Sequence, residues 1–525
     1  MLSIVELTKS SNANIKYMNK NRNNKMTAIT FAGELKNLKP QRVWQLFEEM
    51  TQIYRESGPS ATNRENNKEI SNYLVDKLNA LGFEVEQVKE GSGKYNIFAT
   101  RNVDKSKNNA IILQGHMDML CISDDKNPKK PIKLNVENDI LRANNRTLGA
   151  DNGIGLALAL AIAEEHKFKD LPLQIVFTVD EETGMYGAAA MKPEDLKGHY
   201  LINIDSEKIG EITIGCAGMD TFKEVDDVRM IPVGDTNHRK ITFLVKNASG
   251  GHSGEDINKG RLNPIREVLT ELNSIPDIKL ISVMGGEKPN SIPREVTVEI
   301  LVPNTKINDV KKQLTEKYNL AKTKHAKTDP DLEFTIKSDP ENAASTTKIV
   351  NQDFQEKLLR ILGDELHVGF KSAYDNGDTK TSQNLGIVNL KDGKIELAVS
   401  MRSSDQHEKK EMYNKTVTQL SELFGKEIKP FNSSPIWEPK LKSPLTELAA
   451  LAYKELGVTN PRVYTCHGGL ENAQFAKLKP DIDQISIGPD IYDPHTVKER
   501  IKISSVDTIY KFIENLLQKL KQVNK

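Results

Sequence analysis

Three short stretches of the chain end an apolar run in acidic or histidine side chains. IILQGHMDML carries His116 and Asp118, IVFTVDEETG carries Asp180, Glu181 and Glu182, and LINIDSE carries Asp205. Between the first two, TLGADNGIGLALALA sets Asp151 ahead of an apolar segment. Far downstream, GPDIYDPHTVKE holds His495 in a proline-bounded loop. Two imidazoles and several carboxylates, with no thiolate among them, form a donor set suited to zinc, manganese or cobalt. A carboxylate among them can bridge two ions, the arrangement two-metal hydrolases use to activate water. Taken singly, each piece has a plainer meaning. An HxD step after a strand is usually an exposed turn, a Glu-Glu pair is usually a solvated face, and GADNGIG could be a dinucleotide turn. Its glycines, Gly149, Gly153 and Gly155, do not follow GxGxxG, however, and Asp151 stands where a phosphate would have to approach. The weight lies in their joint occurrence, in one order, at the ends of apolar runs.

Those residues need elements to hold them. Val43, Leu46, Phe47, Met50 and Ile53, and later Ile70, Leu74 and Leu78, recur at helical spacing. Residues 110–113, 173–179 and 200–204 read as buried strands, and 154–163 as an apolar helix. This alternation predicts an α/β domain with a largely parallel sheet flanked by helices. In such a sheet ligands bind outside the carboxyl ends of the strands, where His116, Asp180 and Asp205 fall. After about Gly218 the texture changes to alternating strands, at 240–246 and 295–302, around a helix at 264–275. This predicts an inserted α+β domain. The first pattern returns at 444–456, where Ser443 and Pro444 form an N-cap and first-turn pair, and at 485–487. A final amphipathic helix covers 506–520.

A chain of 525 residues exceeds one core and predicts two or three domains. Its 73 basic and 73 acidic side chains cancel, which argues against a nucleic-acid partner. Cys121, Cys216 and Cys466 are odd in number and form no CxxC, so neither a disulfide framework nor a thiolate zinc site is expected. A reducing, cytoplasmic compartment fits. No apolar run is long enough to span a membrane. Residues 1–25, polar and without the apolar stretch of a secretory signal, are expected to form a disordered extension, with Met26 as an alternative start.

The order HxD, GADNGxG, DEExG, NxDSE followed by GCAG, and a late GPxxxxPH resembles the two-metal exopeptidase family that includes carnosinases, aminoacylases and bacterial dipeptidases. GGHSGEDI at 250–257, GGEKPNSIPRE at 285–295 and HGGLE at 467–471 resemble its aminoacyl-histidine dipeptidase group. The resemblance runs from about Pro40 to the C-terminus. It implies hydrolysis of dipeptides, of the Xaa-His (carnosine-like) kind and other unblocked ones. Two divalent ions per chain are implied, zinc first, with manganese or cobalt as alternatives. His116, Glu182, Asp205 and His495 would hold them and Asp151 would bridge. Asp118 would orient His116, and Glu181 would be the general base. A cis peptide after Asp151 is also implied. Residues 26–217 and 432–525 would form the catalytic domain and 218–431 a lid through which the chain forms a homodimer. The lid would offer His252, Asn290 and Arg402 as substrate contacts, with His252 donating to the oxyanion. Arg402 would meet the substrate carboxylate, a surface ion pair being its other reading. Glu471 would meet the substrate amino group.

Competing readings are a tripeptidase or an N-acyl amino acid deacylase of the same superfamily, a non-catalytic metal-binding relative, and a nucleotide-dependent α/β enzyme. The motifs around Gly250 and His467 argue against the first two. Glu181 beside Glu182 argues against the third. The missing GxGxxG and P-loop argue against the last.

Overall fold

Apolar spacing turns into structure where it is expected. In the computed structural model, α1 covers Gln41–Thr51, α2 Ala61–Ala80 and α3 Ala150–Glu164. The structure describes residues 18–19, 27–28, 35–58, 61–104, 107, 109–125, 127, 129–234 and 236–523. The expected disordered extension, 1–25, lies outside them except for Met18–Asn19 (β1), which pairs antiparallel with Thr27–Ala28 (β2).

The chain divides into two compact units, Met1–Glu211 with Leu451–Asn460 and Ser486–Lys525, and Ile212–Ala450 with Pro461–Ile485. Among the described residues, no helix is long and apolar enough to cross a membrane.

In the first unit the strands are Glu84–Gln87 (β3), Ile97–Arg101 (β4), Ala110–His116 (β5), Leu134–Glu137 (β6), Ile140–Ala143 (β7), Leu173–Thr178 (β8) and Gly198–Asn203 (β9). The main sheet here runs β9-β5-β8-β4-β3. β5 is parallel to both β8 and β9, while β4 and β3 continue antiparallel. Every residue of β5 and β8 is buried, which is why both read as continuous apolar runs rather than as alternation. α3 is apolar all round for the same reason, with Ile154 to Ala163 at most 2% exposed. It packs against β5 and α1. Each buried leucine there contributes roughly 1.5–3 kcal/mol relative to exposure, so the middle of the sheet stabilises and its ends are left for polar groups. The last helix, Ile503–Val523, buries Ile509, Phe512, Ile513, Leu516 and Leu520, and Phe512 stacks on Tyr453 with ring centres 3.9 Å apart. A small sheet, ordered Ile491–Tyr492, Arg500–Lys502, β7, β6, frames the loop of His495.

The second unit is built on an antiparallel sheet. Its strands follow the order Glu333–Asn342, His238–Lys246, Val296–Pro303, Lys279–Gly285, Thr379–Lys391, Lys394–Ser403, Gly218–Asp227 and Asn432–Ser433, with Gly369–Ala373 beside Thr379–Lys391. The expected strands and the helix Pro264–Asn273 are present. Two long helices, Ile307–Lys324 and Gln406–Phe424, are not brought out by the sequence reading. Their lysines and glutamates dilute the apolar signal, yet Ile307, Val310, Leu314 and Ala321 share one face. Asp405 caps the second, accepting from Glu408 N at 2.8 Å.

Candidate metal centre

His116 is the last residue of β5, and its burial to 1% exposure leaves the imidazole few directions. Nδ1 faces the Asp118 backbone carbonyl at 3.0 Å and the Asp118 carboxylate at 3.5 Å. Nδ1 is thereby engaged on that side, and Nε2 faces the opposite one, where Asp151 Oδ1 lies at 2.9 Å and Asp205 Oδ1 at 3.4 Å. Asp118 Oδ2 accepts from the Glu182 backbone N–H at 3.3 Å, joining the first strand end to the second.

After β8 the chain reverses at Asp180, whose φ of +56° is left-handed, a conformation that costs a non-glycine residue roughly 1–2 kcal/mol. Tyr186 N donates back to Asp180 O at 3.2 Å, and Gly184 and Met185 donate to Glu181 O. This tight turn presents the two glutamates in succession. His495 is likewise left-handed, at φ +59°. Its Nε2 lies 3.0 Å from Asp151 Oδ2 and 2.8 Å from Glu182 Oε2. Asp151 therefore touches both imidazoles, one through each oxygen. Donor atoms of His116, Asp151 and Glu182 all lie within 4.8 Å of one another.

The peptide between Asp151 and Asn152 is cis. Asn152 is buried, and its Nδ2 donates to Ile204 O at 2.5 Å, one residue before Asp205. Glycines make room for it. A Cβ on Gly115 would stand 2.4 Å from Asn152 Oδ1, and one on Gly155 2.3 Å from Ile204 O.

The electrostatics are those of crowded carboxylates. Burial and the charge of Asp151 push the Glu182 carboxyl up to about 7, against the hydrogen bond from His495. Burial also raises Asp205, although His116 pulls the other way. Burial would raise Asp151 too, but hydrogen bonds from both imidazoles outweigh it and hold the carboxyl well below its usual range. Burial opposes charge on His116, yet Asp205, Asp118 and Asp151 together raise it well above an ordinary histidine. Hydrogen bonds to Asp151 and Glu182 lift His495 to about 11. Oxygen and nitrogen donors with mutually repelling carboxylates in a buried place fit divalent cations, whose charge relieves that repulsion.

The structure thus brings together His116, Asp118, Asp151, Glu182, Asp205 and His495, with Glu181 on the same turn as Glu182. Two buried charges of this unit, Arg55 and Glu499, were not singled out by the sequence reading. Glu499 closes the PHTVKE stretch that contains His495.

In the second unit, His252 pairs with Ser291 across a two-stranded ribbon, beside Asn290, whose carbonyl accepts from Ser253 N at 3.0 Å. Asp256 accepts from the His252 backbone N–H at 2.8 Å. Arg402 is 6% exposed, on the buried strand Lys394–Ser403. The surface ion pair is therefore the wrong reading of this residue, which sits on an inner strand between Met219 and Ser382. His467 opens the HGGLE stretch. It is buried, its Nε2 lies 2.8 Å from Ser382 Oγ, and burial, with the charges of Arg402 and His252, depresses it to about 3. His252, Arg402 and His467 thus share one neighbourhood. Glu471 is fully buried at the start of Asn472–Leu478.

The profile described as Peptidase family M20/M25/M40 matches residues 112–519. The chain is 30% identical over 498 residues to the cytosol non-specific dipeptidase of Escherichia coli (strain K12), covering 93% of this chain and 99% of that protein. Among solved structures it resembles the aminoacylhistidine dipeptidase from Vibrio alginolyticus, with a TM-score of 0.79 at 26% identity over 93% of this chain and 98% of the other. The aminopeptidase PepT from Bacillus cereus shares the fold at a TM-score of 0.51 and 15% identity, covering 92% and 99%.

Proposed function

The chain belongs to peptidase family M20/M25/M40, a family of metal-dependent peptidases, and from that premise we propose that it hydrolyses unblocked dipeptides, Xaa-His among them, at a centre of two divalent ions. One observation carries this reading. Asp151 meets His116 and His495 through its two oxygens, with Glu182 and Asp205 at the same place. It does so in a chain related along almost its whole length to a dipeptidase.

In this reading His116, Glu182, Asp205 and His495 would hold the two ions, with Asp151 shared between them. Zinc is the resident metal, with manganese or cobalt able to replace it. The ions, when bound, supply Lewis-acid activation of water and of the scissile carbonyl. Glu181 takes the proton of the attacking water and gives it to the leaving amine nitrogen. Asp118 keeps the His116 proton on Nδ1. His252 donates to the oxygen that gains charge at the carbonyl carbon. Arg402, with Asn290, receives the substrate carboxylate, for which a buried guanidinium fork is suited. Glu471 meets the ammonium. Demanding both termini within one residue of the scissile bond is what would restrict the enzyme to dipeptides.

The test is an assay of zinc-loaded protein against carnosine, a panel of unblocked dipeptides, a tripeptide and an N-acylated dipeptide. Dipeptides are expected to be cleaved and the other two spared. Comparable turnover of the tripeptide would overturn the reading in favour of a tripeptidase.

The lid is assigned to residues 218–431 and the protein to the cytoplasm, in keeping with its free cysteines and its cytosolic relative. We take the protein to be a homodimer joined through this lid, with His252 acting on the neighbouring chain's substrate. Glu181→Ala and His252→Ala chains should each be nearly inactive alone. Mixed by co-refolding, half the dimers are hybrids with one intact site, so about a quarter of wild-type activity should return. No recovery from a dimer confirmed by sedimentation would place His252 in its own chain's site.

A further inference from the structure

Arg55 and Glu499 lie outside the set of donor side chains, yet both are nearly inaccessible, at 1% and 2% exposure. A buried charge persists only where its hydrogen bonds are met, and the partners of these two are backbone groups of the donor-bearing segments. Arg55 Nη1 donates to Met117 O at 2.9 Å and to Asp118 O at 3.0 Å, and Nη2 donates to Gly149 O at 2.7 Å. Glu499 Oε2 accepts from Leu148 N at 2.7 Å and Gly149 N at 3.0 Å, while Oε1 accepts from Ala150 N at 2.8 Å and Asp151 N at 3.3 Å. Four consecutive N–H groups leading into α3, from Leu148 to Asp151, thus converge on one carboxylate.

The glycines of GADNG acquire a reason from this. A Cβ on Gly149 would stand 2.7 Å from Arg55 Nη2 and 2.6 Å from Met119 Sδ, and one on Gly153 would stand 2.6 Å from Arg55 Nη2. Both positions are bare so that the guanidinium can reach the Gly149 carbonyl. The peptide planes leading into Asp151 are then held from two sides, the N–H side by Glu499 and the carbonyl side by Arg55. Arg55 also ties down the turn between His116 and Asp118. Glu499 sits four residues after His495 and so anchors that loop to the same peptides.

We propose that Arg55 and Glu499 are positioning residues for the metal centre, setting where Asp151 stands between His116 and His495 without touching ion or substrate. The inference rests on Asp151 being the bridging ligand. Glu499→Gln keeps the size but puts an NH₂ against backbone N–H donors. Arg55→Lys keeps the charge, but one ammonium does not span three carbonyls. Metal-stripped variants would be titrated with zinc in competition with a chelating dye. Melting temperature of the stripped protein, kcat and KM would be measured alongside, with exposed Lys498→Ala as the control.

Loss of such outer support is expected to weaken zinc binding about 10- to 100-fold. In both variants kcat should fall at saturating zinc while KM stays within about threefold, since ground-state substrate contacts are untouched. The Lys498→Ala chain should match wild type. Variants that melt earlier but bind zinc and turn over as wild type would reduce the pair to structural roles and overturn the proposal. Should Glu499→Gln not fold, Glu499→Asp, whose carboxylate falls one methylene short, carries the same expectation. An Asp151→Asn chain separates the layers. If it keeps wild-type zinc affinity, the metal assignment fails and this inference with it. If it loses zinc while Glu499→Gln and Arg55→Lys do not, only the positioning role fails.

Discussion

Removing metal with a chelator is expected to lower dipeptide hydrolysis by about 1,000-fold or more, and zinc, manganese or cobalt to restore it. A fall of that size corresponds to about 4 kcal/mol of lost transition-state stabilisation, within the several kcal/mol that a Lewis acid supplies. The donors are all nitrogen and oxygen, which suits those three ions. Their protonation sets a second, independent expectation. Glu182 is raised to about 7 and His495 to about 11, and both must give up protons before they can bind a cation. At pH 6 both hold a proton in the metal-free protein, whereas at pH 8 Glu182 has largely lost its own. Zinc affinity should therefore rise with pH across this interval, and the protons released per ion should be more numerous at pH 6 than at pH 8. Calorimetric titration in buffers of differing ionisation heat reads both. Full activity in a verified metal-free preparation would remove the basis of the whole assignment.

Glu181→Gln is expected to cut kcat by roughly 100-fold or more, the scale of a positioned general base, while leaving the protein's metal content near wild type. The neighbouring change should behave differently. Glu182 Oε2 lies 2.8 Å from His495, and Glu182 belongs to the set of donors that lie within 4.8 Å of one another. Glu182→Gln should accordingly weaken metal binding and regain much of its activity when metal is raised. The contrast lies in the readout: Glu181→Gln is not rescued by added metal and Glu182→Gln is. A Glu181→Gln enzyme with near-normal kcat would show that the two roles are misassigned.

The residue order alone determined a good deal about this protein. Unbroken apolar runs marked β5, β8, β9 and α3 because an element buried on all sides must be apolar at every position. His116, Glu182 and Asp205 were legible because they follow those runs, where a parallel sheet leaves polar groups uncovered, and Asp151 because it heads α3, whereas His495, in a proline-bounded loop, was legible through the family resemblance. Charge balance argued against a nucleic-acid partner, and the cysteine count against a disulfide framework or a thiolate zinc site. None of this locates groups relative to one another across the fold. Arg55 is an ordinary arginine in its own neighbourhood, and its role comes from carbonyls 62 to 94 residues away. Glu499 reaches amides 348 to 351 residues back. Arg402 read nearly as well as a surface charge until the tertiary structure buried it, and the proximity of His467 to Ser382 and Arg402 was not visible in its motif. Helical and strand periodicity is local, being set by backbone geometry within a few residues. Burial of a particular charge, and the partners that make it tolerable, depend on which distant segments the sheet brings alongside, and only the tertiary structure decided that.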